Sequence, residues 1–265
     1  MKRGRQTQGF TIVETMIFLA VSGALLLSAI AFITSTQSNT QFNQAANDAL
    51  QQINGVINNV ADGYYAGNDN VTCSVSGNAI TSVGIGPANA RGTNDKCVFL
   101  GRVIEFGTGA ADNRFTVHDV AGLRTISSGG AEIEVTDMAT ASSTLVTGTE
   151  QIVTYRNGLR FGKLTQGAVD GFDAVGFFGT LGKVVSSGLN AGQLQTASQQ
   201  NDFVGFRYNQ ISTGALRGDY VTNKDASRDG MTLCLTDGER QAEIIIRGQR
   251  RSANTSMVIG IGTCS

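Results

Sequence analysis

The sequence predicts an α+β protein, in which a long N-terminal α-helix packs on an antiparallel β-sheet or small β-sandwich head. Three observations lead to this prediction. A basic segment precedes a long apolar run near the N-terminus. The residues that follow are polar but keep a helical repeat of apolar side chains, and the rest of the chain alternates with a period of two between glycine-rich turns. We therefore divide the 265 residues into a leader (1–9), a helix (10–62) and a β-rich head (63–265).

The apolar run covers residues 10–33, and the leader before it carries Lys2, Arg3 and Arg5. As a helix the run would be about 36 Å long, whereas the hydrocarbon core of a bilayer is about 30 Å thick. A secretory signal peptide has a shorter apolar core, followed by a small-residue cleavage site. We therefore expect residues 10–33 to span the cytoplasmic membrane once, with the N-terminus inside because its flank is basic.

Beyond the run, apolar residues recur at spacings of three and four without a proline. This repeat predicts that the same helix continues to about Ala61, where Asp62 and Gly63 provide a C-terminal stop. The whole helix would be on the order of 78 Å long. Its second half should carry the head on a stripe of Phe42, Ala45, Ala46, Ala49, Leu50, Ile53, Val56, Ile57 and Val60.

The head contains segments of alternating polarity that are separated by turns rich in Ser, Asn and Gly. One of these turns, Asn157-Gly158, predicts a tight hairpin between residues 153–156 and 159–161. Residues 186–201 predict a long loop or a short helix. The candidate strands are 97–106, 114–120, 131–135, 151–156, 172–178, 204–208, 231–235, 242–247 and 257–261.

Composition and charge restrict the function. The chain has 34 glycines and one proline, which is typical of an extracytoplasmic β-rich domain with many turns. Its formal net charge is −1, and loss of the three basic leader residues would lower it to −4. This charge does not favour nucleic-acid binding over the whole surface, although a local basic patch is compatible with it.

The four cysteines, Cys73, Cys97, Cys234 and Cys264, contain no C-x-x-C pair. Because the chain has a single histidine, this pattern does not indicate a zinc site. An even count outside the cytoplasm favours two disulfides with three possible connectivities; four reduced, buried cysteines are the alternative. We favour Cys73–Cys97 and Cys234–Cys264, because each pair closes a local loop of a few dozen residues.

Glu14 is the single ionisable residue between Phe10 and Ile33. A carboxylate in hydrocarbon costs about 2.5–3.5 kcal/mol, so it is normally paired and functional. The alternative is that Glu14 lies at the membrane interface among lipid phosphates, which its depth permits. The residues around it favour a functional role, because a basic leader ends in Gly9 and is followed directly by Phe10.

The segment Gly9-Phe10-Thr11-Ile12-Val13-Glu14 resembles the class III signal of type IV pilins and of the pseudopilins of type II secretion. The resemblance implies that a prepilin peptidase cleaves between Gly9 and Phe10 and that the new Phe10 amine is methylated. It also implies that Glu14 pairs with the Phe10 ammonium of a neighbouring subunit, so that neither charge is buried alone. Many major pilins carry a proline in the membrane half; none occurs here, which favours a minor subunit.

No set of residues indicates catalysis, and we do not expect an enzyme. Nucleophilic chemistry of the Ser-His-Asp or Cys-His type would depend on His118 alone, in a strand-like segment where a surface role is commoner. Gly84-Ile85-Gly86 and Gly107-Thr108-Gly109 lack the context of a phosphate-binding loop and are interpreted as turns.

A weak calcium site is conceivable at Asp219, Asn223, Asp225 and Asp229, because their oxygens are closely spaced and some pseudopilins hold Ca²⁺ in a C-terminal loop. The spacing does not fit an EF-hand, and Lys224 and Arg228 reduce the negative charge. A solvated loop is the favoured interpretation, and we expect no other cofactor or metal.

The last 35 or so residues are similar to the final hairpin of H-type pseudopilins and FimT-type minor pilins. Those proteins have a Gly-Arg-x-Arg turn, whereas this chain has Gly248-Gln249-Arg250-Arg251 and lacks the first arginine. In the FimT-type relatives, basic residues near the C-terminus contact DNA during uptake. The corresponding candidates here are Arg240, Arg247, Arg250 and Arg251, with a solvated strand and turn as the alternative.

Together these features imply a pilin-like structural subunit, a minor pilin or a pseudopilin. It would assemble through its N-terminal helix into a type IV pilus or a type II secretion pseudopilus. Its partners would be other subunits, the prepilin peptidase, the inner-membrane assembly platform and, before assembly, membrane lipid. The mature protein would finally be located in a cell-surface or periplasmic filament. The alternative is a minor pilin that binds DNA for uptake.

Overall fold

The computed structural model describes residues 11–61, 71–86, 96–135, 141–166, 169–178, 202–206, 230–249, 252–260 and 264. Within these residues the chain forms one long helix, a 3₁₀ turn at Gly109–Ala111 and 15 strands. The predicted α+β class is confirmed. The elements are α1 (Ile12–Ala61), β1 (Val71–Ser76), β2 (Ala79–Ile85), β3 (Cys97–Phe106), β4 (Arg114–Leu123), β5 (Thr125–Ser128), β6 (Ala131–Glu134), β7 (Thr144–Leu145), β8 (Gln151–Thr154), β9 (Arg160–Gln166), β10 (Val169–Phe172), β11 (Ala174–Phe178), β12 (Asp202–Phe206), β13 (Met231–Thr236), β14 (Gln241–Gln249) and β15 (Ser252–Gly260).

The chain divides into two compact units, Met1–Gln44 and Ala45–Ser265, so that α1 contributes to both. In the second unit, the end of α1 buries most of the apolar stripe that its helical spacing predicts: Ala46 and Ile53 are fully buried, whereas Leu50 is only partly buried. Polar contacts tie this part of the helix to the strands around it. The Thr255 hydroxyl donates to Asn54 Oδ1 (2.6 Å), and Arg156 Nε lies 3.7 Å from Asp48 Oδ2.

The head is built on two antiparallel sheets. One has the order β10-β9-β13-β14-β15, and the other has the order β12-β11-β3-β4, with β7 and β8 both paired to the far side of β4. Two hairpins, β1–β2 and β5–β6, form two-stranded sheets of their own. The Phe106 ring of one main sheet stacks on the Phe161 ring of the other, with centroids 5.1 Å apart, so aromatic contacts join the two sheets.

The six-stranded sheet is buried on both faces along β3 and β4. One face carries an apolar cluster that the β1–β2 and β5–β6 hairpins help to cover through Val75, Ile80 and Ile126. A register shift between Phe99 and Gly101 bends β3, and a side chain at Gly101 would meet the carbonyl oxygen of Phe177 at 2.0 Å, so only glycine fits there. The cluster consists of Leu100, Val103, Val120, Leu123, Val135, Ala141, Ala174 and Phe178.

The opposite face of the same sheet contains a buried ion pair. Arg102 and Asp119 are direct register partners on β3 and β4, and Arg102 Nε lies 2.8 Å from Asp119 Oδ1. Their side chains are 2% and 3% exposed. Burial raises the pKa of the Asp119 carboxyl above its usual value, and the neighbouring Arg102 guanidinium acts in the opposite direction.

One topological prediction is wrong. Asn157 and Gly158 do form a turn with positive φ (53° and 75°), closed by a hydrogen bond from Leu159 N to Arg156 O. The segments on either side, however, do not pair with each other: β8 pairs with β4, whereas β9 pairs with β10 and β13. The turn is therefore a corner between the two sheets, and the tight hairpin that we predicted there does not form.

The other predicted strands occur, with altered ends. The predicted segment 172–178 is divided between β10 and β11, which belong to different sheets. The β1–β2 hairpin, β5 and β7 were not predicted. The predicted loop at 186–201 lies outside the described residues, as does the end of the predicted strand 204–208.

Candidate functional site

The first unit presents an apolar helical surface. Part of α1 is long and apolar enough to cross a membrane, with a mean hydropathy of 2.5 over its most apolar part, none of which is buried. Burying a large apolar side chain is worth about 1.5–3 kcal/mol, so this surface requires an apolar environment. Ile12, Val13, Met16, Ile17, Phe18, Leu19, Val21, Leu25, Leu26, Leu27, Ile30, Phe32 and Ile33 are between 50% and 76% exposed.

Hydroxyl groups within this apolar segment find partners inside the helix. Thr15 donates to the Ile12 carbonyl (2.8 Å), Ser28 to the Leu25 carbonyl (2.8 Å) and Thr34 to the Ala31 carbonyl (3.0 Å). Such bonds to the preceding turn satisfy polar atoms that would otherwise be costly in hydrocarbon. The Glu14 carboxylate, in contrast to these three hydroxyl groups, has no hydrogen bond or ion pair among residues 11–61.

Glu14 occupies the third position of α1. The Thr11 hydroxyl accepts a hydrogen bond from the Glu14 backbone N–H (3.3 Å), so Thr11 caps the helix start. A threonine followed three residues later by a glutamate is the pattern of a capping box, and a carboxylate in the first turn also interacts favourably with the helix dipole. The role of Thr11 was missed, although the Thr-x-x-Glu spacing could have revealed it. The helix dipole therefore favours a carboxylate at this position independently of any partner subunit. The predicted processing residues Gly9 and Phe10 lie outside the described residues.

The predicted basic patch is divided between two places. Arg240 lies in the turn between β13 and β14, where its Nε and Nη2 donate to Asp237 Oδ2, and the backbone N–H groups of Glu239 and Arg240 donate to Asp237 Oδ1. Burial acts to raise the pKa of Asp237, but these hydrogen bonds outweigh it and the pKa is lowered. Arg240 is thus neutralised within its own turn, by a partner that the sequence analysis did not single out.

Arg247 is exposed and lies seven residues further along β14. At about 3.3 Å per residue it is roughly 23 Å from Arg240, at the opposite end of the strand. Arg250 and Arg251 lie outside the described residues. The structure therefore does not bring Arg240 and Arg247 together.

The four cysteines form the disulfides Cys73–Cys97 and Cys234–Cys264, which confirms the favoured pairing. The first joins the β1–β2 hairpin to β3. The second fixes Cys264 to β13, and the Cys264 N–H donates to Gln241 Oε1 (3.0 Å). The calcium candidates Asp219, Asn223, Asp225 and Asp229 lie outside the described residues.

His118 lies on β4 and its Nε2 is 2.9 Å from Glu105 Oε2 on the neighbouring strand β3. Both side chains are partly buried, with exposed fractions of 12% and 25%. Among the described residues, no group of three or more His, Cys, Asp or Glu side chains is placed to hold a metal ion. The contact therefore has the features of a cross-strand pair that contributes to the sheet.

Comparison of the chain with models of protein families, with curated proteins and with solved structures gives no match in any of the three.

Proposed function

We propose that this chain is a pilin-like structural subunit, a minor pilin or a pseudopilin. It would be inserted in the cytoplasmic membrane through residues 10–33 and then assemble through α1 into a type IV pilus or a type II secretion pseudopilus. The observation that carries the proposal is Glu14, a carboxylate with no partner among the described residues, in the first turn of an exposed apolar helix and four residues after Phe10.

In this proposal the energy of assembly comes from two sources. Neighbouring α1 helices cover one another's apolar side chains and replace lipid. Cleavage after Gly9 would create an ammonium group at Phe10, and the Glu14 carboxylate of a neighbouring subunit would pair with it. A lone charge in an apolar filament core costs several kcal/mol, so only a subunit docked in the matching axial position is stable.

The proposal is tested with Glu14→Gln, because this substitution removes the charge, keeps the size of the side chain and leaves the backbone hydrogen bond to Thr11 available. The matched control is Thr15→Val, which removes a hydroxyl of similar depth that is already satisfied by the Ile12 carbonyl. We expect the Glu14→Gln protein to be cleaved and to stay in the membrane, but to be missing from sheared filaments. The Thr15→Val protein should assemble normally. Incorporation of Glu14→Gln at the wild-type level would refute the charge-pairing role.

DNA capture is a second proposal for the same subunit, and the exposed side chain of Arg247 favours it. It would involve Arg247 together with Arg250 and Arg251 rather than Arg240, which Asp237 already holds. Contacts of this kind bind phosphates without regard to sequence and weaken with salt.

A further inference from the structure

β15 is an open edge of the five-stranded sheet. In the part of the chain that the structure describes, β14 pairs with one side of β15 and no strand pairs with the other. The strand is nine residues long, and its pairing with β14 has no register shift. It contains no charged residue and no proline. Natural proteins usually shorten, bulge or charge an edge strand, because a long regular edge pairs with other chains.

Most other open edges in the described residues carry such protection. β7 and β8 are two and four residues long, and the β1–β2 and β9–β10 pairings contain register shifts. β6 carries Glu132 and Glu134, and β12 begins at Asp202. The outer edge of β5 is closed by the Asn78 side chain, which exchanges two hydrogen bonds with the Ser127 backbone (2.8 and 2.7 Å). β15 lacks all of these devices, and it exposes Val258 and Ile259 at 49% and 38%.

The hydrogen-bond pattern shows which backbone groups of β15 are open. Asp237 N donates to Arg240 O across the β13–β14 turn, so the even-numbered residues of β14 direct their backbone groups to β13. The odd-numbered residues direct theirs to β15, where they meet its even-numbered residues, from Ser252 to Gly260. The N–H and C=O groups of Ala253, Thr255, Met257 and Ile259 therefore point to the open side.

This edge is complementary to itself. If two copies of β15 run antiparallel with their Ser256 residues opposite each other, Ala253 of one copy meets Ile259 of the other, and Thr255 meets Met257. All four open residues then exchange hydrogen bonds, and every residue from Ser252 to Gly260 has a partner. If the two copies were centred on any other residue of β15, one end of each strand would be left unpaired.

The charges on β14 also fit this arrangement. Arg247 is the register partner of Asn254, and Glu243 is the register partner of Val258. Because Asn254 of one copy lies opposite Val258 of the other, Arg247 and the second copy's Glu243 fall in the same row of the joined sheet. The two charges are three strand spacings apart, about 14 Å, so the row places no like charges opposite each other.

We propose that β15 is a self-association surface, at which the heads of two copies of this chain pair antiparallel about a two-fold axis at Ser256. The contact closes after two copies and does not propagate, so it is separate from assembly through α1. It uses residues of the second unit alone, and it does not depend on the proposed role of Glu14.

The register is tested by cysteine cross-linking of the detergent-solubilised full-length protein under mild oxidation. Ser256→Cys places two thiols directly opposite each other, with Cβ atoms about 4.5–5.5 Å apart, which is close enough for a disulfide. Val258→Cys is the matched control on the same face of β15, because its two thiols would be about 13 Å apart along the strand. Ser128→Cys controls for random collision of exposed residues.

We expect Ser256→Cys to give a reducible dimer on non-reducing gels. Val258→Cys and Ser128→Cys should give much less of it. Equal cross-linking of all three variants, or none for Ser256→Cys, would overturn the proposal. A test without added thiols is Ser256→Lys, which places like charges opposite each other at the axis, against Ser128→Lys as control. We expect detergent-solubilised Ser256→Lys protein to lose the dimer that wild type and Ser128→Lys retain, and an unchanged mass for Ser256→Lys would contradict it.

Discussion

Replacing only one of the buried partners Arg102 and Asp119 should destabilise the head more than replacing both of them by apolar residues. The two side chains are almost fully buried, and one guanidinium nitrogen of Arg102, Nη2, has no hydrogen-bond partner among the described residues. The pair is therefore imperfectly satisfied. Asp119→Leu leaves the Arg102 charge buried without its carboxylate, whereas the double variant Arg102→Met/Asp119→Leu leaves no charge at all.

The magnitude follows from this burial. Removing one partner of a buried ion pair typically costs about 3–5 kcal/mol, whereas replacing both by apolar residues of similar volume is often neutral or stabilising by 1–4 kcal/mol. We expect Asp119→Leu to fall within the first range and the double variant to lie near wild type or above it. Arg102→Met should be less harmful at acid pH, because the buried Asp119 carboxyl, whose pKa is already raised, can then take up a proton.

The measurement is urea unfolding of the full-length protein in a non-denaturing detergent, followed by circular dichroism at pH 5 and pH 8. A double-mutant cycle gives the coupling energy between the two sites. The matched control is the more exposed pair Arg160 and Asp112, whose side chains are 61% and 27% exposed and whose closest charged atoms are 3.7 Å apart. This pair should couple by less than about 1 kcal/mol. The reasoning is refuted if Asp119→Leu costs no more than the exposed control, or if the double variant is as unstable as the sum of the single variants.

Three further predictions concern the disulfide and the C-terminal hairpin. Replacing Cys73 and Cys97 by alanine should lower the free energy of unfolding by about 3.5 kcal/mol for a loop of 24 residues, and a loss below 1 kcal/mol in urea melts would contradict this. Asp237→Asn should destabilise the head at neutral pH. This difference should shrink below about pH 4, because a carboxyl with a lowered pKa contributes only while it is ionised; thermal melts that show a constant difference would count against it. In gel shifts at several salt concentrations, Arg247→Ala should reduce the salt dependence of DNA binding by about one phosphate contact, whereas Arg240→Ala should leave it unchanged. Equal effects of the two variants on the salt dependence would contradict the different roles expected for Arg247 and Arg240.

Local patterns were sufficient to predict the elements that depend on nearby residues. The absence of proline and the spacing of three and four predicted α1 to within two residues at each end. The strand candidate at residues 97–106, a run rich in Val, Phe, Leu and Ile, coincides with β3, whose observed bounds are the same. The disulfide pairing was also predicted, because each bond closes a local loop.

Features that depend on residues distant in the sequence could not be predicted. The turn at Asn157-Gly158 has the local chemistry of a hairpin, but the flanking strands pair with strands that are distant in the sequence, β8 with β4 and β9 with β13. The opposition of Arg102 and Asp119 depends on the β3–β4 register, which a bulge near Gly101 shifts. At the candidate site, Arg240 lies only three residues from its partner, and the error there was to count cations without counting the carboxylate that neutralises one of them.

We propose that this chain is processed and assembled as a prepilin-like subunit. The most direct measurement is mass spectrometry of the mature N-terminus of protein isolated from membranes and from filaments. The account expects a chain that begins at Phe10, carries a methyl group on its amine and lacks the nine leader residues. A protein that keeps Met1 and the full leader would contradict the account at its base.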